Sequence, residues 1–138
     1  MIGEFLKLLG LVGSIFLIGS SNYVFNIVVL GQAMDVPSGI ILYLAAGITY
    51  FFGVLILAII YLFSAGRRDI SLGVTLVFAG VIHYYPVVNV ILTDINILFI
   101  WALQFMFSIF MSILFIYLGY RKLRKRLVEL TLSNYIEL

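Results

Sequence analysis

The sequence predicts an all-α protein with four hydrophobic, transmembrane-type helices. We expect two tandem helical hairpins in a four-helix bundle, followed by an amphipathic, basic C-terminal extension. Three observations lead to this prediction. Of the 138 residues, 64% are hydrophobic and only 10% are charged, whereas a soluble domain carries about 25% charged residues. The charged residues also divide the chain into four uncharged stretches, and the cations are confined to three short segments.

Each uncharged stretch is long enough to cross a membrane as a helix. The stretches are bounded by Lys7 and Asp35, Asp35 and Arg67, Asp69 and Asp94, and Asp94 and Arg121. All four exceed the roughly 20 apolar residues that cross a hydrocarbon core. They also lack the polar–apolar alternation typical of barrel strands. We therefore predict one domain, residues 1–138, with helices over about residues 5–30, 40–65, 70–92 and 95–126.

The placement of charge predicts the orientation of these helices. All eight Lys and Arg residues lie near the N-terminus, between the second and third helices, or after the fourth uncharged stretch. With four spans, these three segments lie on the same side of the membrane. The positive-inside rule places that side, and with it both termini, in the cytoplasm.

The first two helices carry features typical of membrane helices. Gly10 and Gly13 in the first helix are small enough to let another helix approach closely, although glycine is also simply common in membrane helices. Asn26 lies near the end of the same helix. In the second helix, Tyr43 and Tyr61 lie near the two ends, where aromatic residues concentrate at membrane interfaces.

The third and fourth helices contain most of the polar residues within the spans. Pro86 removes a backbone donor and is expected to kink or locally open the third helix. Asn89 corresponds in position to Asn26; such a pair could hold an ion or a water, but interhelical hydrogen bonding is the more usual role. Gln104, Ser108 and Ser112 are spaced four residues apart, so we expect this polar face to pack against another helix.

Matches between the two halves predict a duplicated hairpin, residues 1–66 and 67–138. Leu9-Gly10 recurs as Leu72-Gly73, and Ile60-Tyr61-Leu62 recurs as Ile116-Tyr117-Leu118. Chance matches are frequent in apolar sequence, but these occur in the same order in both halves. Such a repeat is parallel, unlike the inverted repeats of many transporters.

Little in the sequence points to chemistry. The absence of cysteine excludes disulfides and thiolate metal sites, and His83 is the only histidine. We favour a neutral His83 hydrogen-bonded in the bundle over a pH-sensitive or cofactor-binding residue. No carboxylate lies within a span to support a catalytic triad. We therefore expect no enzymatic activity, no cofactor and no metal site.

The concentrated positive charge predicts a polar partner. It could bind anionic lipid headgroups, at about 1 kcal/mol for each cation, or DNA phosphates without reading sequence. A plain topology anchor is an equally good interpretation. The residues assigned to this surface are Arg67, Arg68, Arg121, Lys122, Arg124, Lys125 and Arg126.

Two tandem apolar hairpins ending at Arg121–Arg126 resemble the major capsid protein of the large, tailed spindle-shaped archaeal viruses. This resemblance covers the whole chain and rests on architecture and composition. It implies insertion into the host membrane, assembly into a shell through apolar contacts between helices, and a basic side that faces the packaged DNA after budding.

Three functional hypotheses follow from the sequence. The first is a structural protein that assembles with copies of itself in a membrane, as a viral shell subunit does. The second is a small non-catalytic subunit of a larger membrane complex, for instance a respiratory one. The third and weakest is a small channel or carrier.

Overall fold

The computed structural model of the protein describes residues 2–31, 36–64 and 69–137, with side chains for 2–31, 39–64 and 69–124. Of the described residues, 93% are helical and none forms a strand. The helices are α1 (Ile2–Val29), α2 (Val36–Phe63), α3 (Ile70–Ile82), α4 (Tyr84–Thr93), α5 (Asn96–Ile100) and α6 (Ala102–Glu137).

Four stretches of the described chain are long and apolar enough to cross a membrane, by length and composition. They are Ile2–Val29, Gly39–Phe63, Ile70–Thr93 and Ala102–Arg124. The predicted all-helical class with four long apolar helices is therefore confirmed, and it is compatible with a membrane location.

The helix predicted over residues 70–92 is interrupted at His83, between α3 and α4. Pro86 explains the position of this break. A proline has no N–H to bond to the carbonyl four residues earlier, here that of Ile82, and its ring crowds that carbonyl. The helix therefore opens one turn before the proline.

The helix predicted over residues 95–126 differs more from the structure. Trp101, with φ −106° and ψ 30°, separates the single turn of α5 from α6. No glycine or proline marks this break; the Trp101 ring instead contacts Phe25 and Tyr43, with ring centroids 6.2 and 5.9 Å apart. At its other end, α6 continues to Glu137. The charge pattern predicted for the extension depends on side chains after residue 124, which lie outside the described residues.

A seam of small residues brings α3 and α6 into close contact. A Cβ added to Gly119 would lie 2.6 Å from the carbonyl oxygen of Gly73, and a Cβ added to Gly80 would lie 2.8 Å from that of Ser112. The first contact joins Gly73 to Gly119, and the second joins Gly80 to Ser112. From the first contact to the second, the residue number rises by seven along α3 and falls by seven along α6. The two backbones therefore approach closely and antiparallel.

The α1–α2 pair is built in a similar way, with small residues on both helices. A Cβ on Gly53 would lie 3.2 Å from the Ser14 carbonyl oxygen, and one on Gly10 would lie 3.1 Å from Cδ1 of Ile60. Gly31 ends α1 with φ +72°, a left-handed conformation that glycine adopts without a steric penalty and that commonly ends helices.

Two hydrophobic clusters hold the helix pairs together. The larger joins α1, α2, α3 and α6 through Leu11, Ile18, Leu57, Leu72, Leu76, Ala79 and Phe115. The smaller joins α1, α4 and α6 through Phe25, Val29, Val87, Val90 and Phe105. The core therefore lies along the line where α1 meets α3 and α4.

One end of the bundle, here called the basic end, collects the start of α1, the end of α2, the start of α3 and the last apolar turns of α6. Lys7 forms an ion pair with Asp69 there. Nζ of Lys122 donates a hydrogen bond to the carbonyl oxygen of Ser64 over 2.7 Å. These two contacts tie all four apolar stretches together at this end.

Candidate functional site

The break at His83 places a polar pair inside the apolar part of the bundle. His83 is only 2% exposed, and its Nε2 lies 2.7 Å from the hydroxyl oxygen of Tyr50 on α2. Its Nδ1 lies 2.6 Å from the carbonyl oxygen of Ala79. The imidazole therefore joins the last turn of α3 to α2.

These distances define the hydrogen-bonding roles of the ring. A carbonyl oxygen only accepts, so Nδ1 of His83 must be the donor to Ala79. Burial without a carboxylate partner favours the neutral ring. In a neutral ring with a protonated Nδ1, Nε2 is an acceptor, and the Tyr50 hydroxyl donates to it. Both ring nitrogens are thus occupied.

The predicted polar face of the fourth helix lies against its neighbours. The Ser112 hydroxyl donates to the carbonyl oxygen of Gly80 over 2.7 Å, across the α3–α6 seam. Gln104 Oε1 accepts a hydrogen bond of 2.8 Å from the Tyr43 hydroxyl on α2. Ser108, between them, is buried and lines a cavity.

That cavity, here called the cleft, has a volume of about 480 Å³. Its polar lining consists of Ser21, Asn22, Tyr43, Tyr50, His83, Gln104 and Ser108. Its remaining lining consists of Phe25, Ala46, Gly47, Phe51, Val54, Phe107 and Met111. No charged side chain is among these residues.

Two buried polar groups of the cleft keep hydrogen-bonding capacity. The Ser108 hydroxyl forms no hydrogen bond among the described residues. Asn22 donates from Nδ2 to the Ile18 carbonyl oxygen over 2.9 Å, which leaves its carboxamide oxygen without a partner in the same part of the chain. The cleft therefore offers a hydroxyl and an acceptor that could bind an uncharged polar group.

The remaining residues predicted to pack helices occupy different environments. Gly10 contacts α2, whereas no atom lies within 4 Å of a Cβ built on Gly13. Pro86 is buried. Asn26 is also buried, its Oδ1 has no hydrogen-bond partner in the described part of the chain, and Asn89 is half-buried. No hydrogen bond joins these two asparagines within the described residues.

The predicted basic surface divides into buried, exposed and undescribed residues. Lys122 is only 4% exposed; its ammonium group lies 4.6 Å from the centroid of the Tyr61 ring and bonds to the end of α2. It therefore points into the bundle, not toward lipid or DNA. Arg121 and Arg124 are exposed. Arg67 and Arg68 lie outside the described residues, as do the side chains of Lys125 and Arg126.

The ion pair at the basic end involves an acid that also caps a helix. Asp69 precedes α3 and accepts hydrogen bonds from the Leu72 amide (3.1 Å) and the Ser71 hydroxyl (2.8 Å). Burial is the largest single influence on the Asp69 carboxyl and opposes its ionisation. The hydrogen bonds from Lys7, Leu72 and Ser71, with the charge of Lys7, outweigh it and hold the pKa of Asp69 below its usual range.

Sequence reasoning did not identify the α1 and α2 side of the cleft or the partner of Asp69. Tyr50 and Lys7 meet their partners only through tertiary packing, Asn22 bonds only within α1, and none of the three belongs to a recognisable motif. Periodicity offered one signal on α1: Ser14 and Ser21 lie seven residues apart and so share one face of the helix, which is buried and from which Ser21 lines the cleft.

The site contains no metal centre of the usual kind: the described part of the chain has no group of three or more His, Cys, Asp or Glu residues placed to hold a metal ion. Comparison with protein-family models, curated proteins and solved structures finds no match to this chain. The arguments about function below therefore rest on the residues and their geometry.

Proposed function

We propose that the protein is a non-catalytic, membrane-embedded structural protein that assembles with copies of itself through its apolar exterior. The observation that carries this proposal is the outer face of α1, formed by Val12, Phe16, Gly19 and Tyr23. These residues follow the i, i+4, i+7, i+11 spacing of one helical face. Phe16 is 70% exposed, and no atom lies within 4 Å of a Cβ built on Gly19.

The space at Gly19, between the exposed side chains of Phe16 and Tyr23, favours a helix as the partner. Membrane helices associate where small residues let their backbones come close, because lipid supplies no hydrophobic force between them. Within the bundle, Gly53, Gly73, Gly80 and Gly119 already lie at close helix contacts. Gly19 also leaves room for a close helix contact, but it faces away from the bundle. A helix of a second copy would occupy that space.

The interior gives no reason to assign a catalytic role. A general base needs a nitrogen free to take a proton from the substrate, and both nitrogens of His83 are already hydrogen-bonded. Ser112 is engaged with Gly80. These contacts support a structural role for the polar groups that lie in the α3–α6 and α2–α3 contacts.

In this proposal the four apolar stretches cross the membrane as two tandem hairpins, α1–α2 and the α3-to-α6 half. The close backbone approach of α1 to α2 and of α3 to α6 supports this pairing. The matches of Leu9-Gly10 with Leu72-Gly73 support an origin by duplication, since Gly10 and Gly73 each face the partner helix of their own half. The basic end, with both termini, faces the cytoplasm.

The finer form of the proposal is a viral shell in which the basic end faces DNA. Arg121 and Arg124 are exposed at this end and would contact phosphates through charge alone. Binding of a DNA duplex of arbitrary sequence by the purified assembly should weaken steeply as salt rises, and Arg124→Gln should reduce the salt dependence. DNA binding that changes neither with salt concentration nor with Arg124→Gln would refute a DNA-facing surface. The interpretation of the basic end as a membrane anchor would then remain.

Purification under mild detergent tests the main proposal against a role in a larger complex. We expect an affinity-tagged chain to elute as a homopolymer without other proteins in fixed ratio. Co-elution with larger membrane proteins at constant stoichiometry would refute self-assembly and favour a subunit of a heteromeric complex.

A further inference from the structure

The cleft reaches the middle of the apolar stretches, and self-assembly does not require it. We infer that it binds a long-chain, uncharged lipid with a hydroxyl head group. Three properties of the cleft carry this inference: its opening, its shape and the chemistry of its lining.

The opening faces the outside of the bundle between α2 and α6. Phe51 on α2 and Phe107 on α6 both line the cleft, and their side chains are 61% and 46% exposed. In a membrane, this side of the helices faces the hydrocarbon. A ligand would therefore enter laterally from the lipid phase.

The shape suits a chain. Along α2 the lining runs from Tyr43 to Val54, which corresponds to about 16 Å at 1.5 Å per residue. Tyr43 bonds to Gln104 at one end of this stretch. A volume of about 480 Å³ lies within the range of about 300–1,000 Å³ typical of small-molecule sites.

The lining selects an uncharged head group. An isolated carboxylate or ammonium buried at this depth would pay a large desolvation cost, and no lining residue is charged. A hydroxyl can both donate and accept. It fits the free carboxamide oxygen of Asn22, which only accepts, and the hydroxyl of Ser108, which can donate. Both side chains are more than nine-tenths buried.

The inference is tested by photolabelling the purified full chain in detergent with a long-chain alcohol that carries a diazirine in its chain. We expect adducts on the peptides of α2 and α6 that line the cleft, and competition by the unlabelled alcohol. The corresponding ionised fatty acid should compete poorly, because its charge has no partner in the cleft.

Two substitutions locate the site. Gly47 lines the cleft, and a Cβ there meets no atom within 4 Å, so we expect the side chain of Gly47→Leu to occupy part of the cleft and to reduce labelling at least about tenfold. Gly13→Leu is the matched control, since Gly13 also has open space but lies outside the cleft. Ser108→Ala, which removes one hydrogen bond, should weaken competition by the alcohol about fivefold.

Adducts spread over all outer helix faces, or labelling unchanged by Gly47→Leu, would overturn the inference. Absence of cleft adducts would also overturn it.

Discussion

His83 shows how the environment of a single residue determines its role. The sequence identified it as the only histidine and favoured a hydrogen-bonded position inside the bundle. The structure adds the partners, Tyr50 and Ala79, and shows that both ring nitrogens are occupied. Tyr50 could not be inferred from sequence, because it is 33 residues away and the relative rotation of α2 and α3 depends on packing.

Replacement of Tyr50 by phenylalanine should destabilise the bundle. The change keeps the ring contacts but leaves Nε2 of His83 buried without a donor, at a cost of about 0.5–2 kcal/mol in the free energy of unfolding. Denaturant titration in mixed micelles, followed by circular dichroism, measures the difference. Tyr85→Phe is the control, because Tyr85 is exposed, and it should change the free energy by less than about 0.5 kcal/mol. Equal effects of the two variants would contradict the assigned role of Tyr50.

The pH dependence of stability should report the Lys7–Asp69 ion pair. The pKa of Asp69 is lower in the folded protein than the value of about 3.9 expected in the unfolded chain. The pair therefore stabilises the fold above pH ~4, and this contribution is lost as the pH falls through the lowered pKa.

Thermal unfolding in detergent between pH 7 and pH 2.5 tests this dependence. Asp69→Asn should lower the melting temperature at neutral pH, and the difference from the unmodified protein should shrink below pH ~4. Asp94→Asn is the matched control at an exposed position. A difference for Asp69→Asn that stays constant down to pH 2.5 would refute the stabilising ion pair.

At the scale of helices, the sequence predicted what depends on local composition and missed what depends on packing. Hydropathy predicted four long apolar helices, because length and apolar character suffice for that prediction. Pro86 predicted an opening of the third helix, since its effect on the preceding carbonyl is local. The break at Trp101 has no local signal and coincides with ring contacts to Phe25 and Tyr43.

The α3–α6 seam should tolerate no side chain at Gly80. A Cβ there would lie 2.6 Å from Cγ1 of Ile116 and 2.8 Å from the Ser112 carbonyl oxygen. Since one of these atoms belongs to the backbone, the helices would have to separate. We expect Gly80→Ala to reduce the free energy of unfolding by roughly 1–3 kcal/mol, as measured in mixed micelles.

Gly13→Ala should have the opposite sign in the same assay. Its Cβ meets no atom within 4 Å, and alanine is favoured over glycine within a helix by up to about 1 kcal/mol. Destabilisation of similar size by both variants would contradict the close α3–α6 contact at Gly80.

At the scale of the whole molecule, the described helices leave much of their apolar surface outside. Large hydrophobic residues are exposed on each long helix, including Phe16, Phe63, Phe78 and Phe110. At the basic end, the cation Lys122 is buried and bonds to the end of α2, where a cation is favourable near the helix dipole. Lipid or further helices must cover this exterior.

The size distribution of the purified chain tests self-assembly most directly. Analytical ultracentrifugation at fixed detergent and rising protein concentration should show polymers without any other protein. Gly19→Leu, which fills the recess of the outer α1 face, should shift the distribution toward monomer, whereas Gly47→Leu, the same change in the cleft, should leave it unchanged. A chain that sediments as a monomer at every concentration would contradict the proposed function.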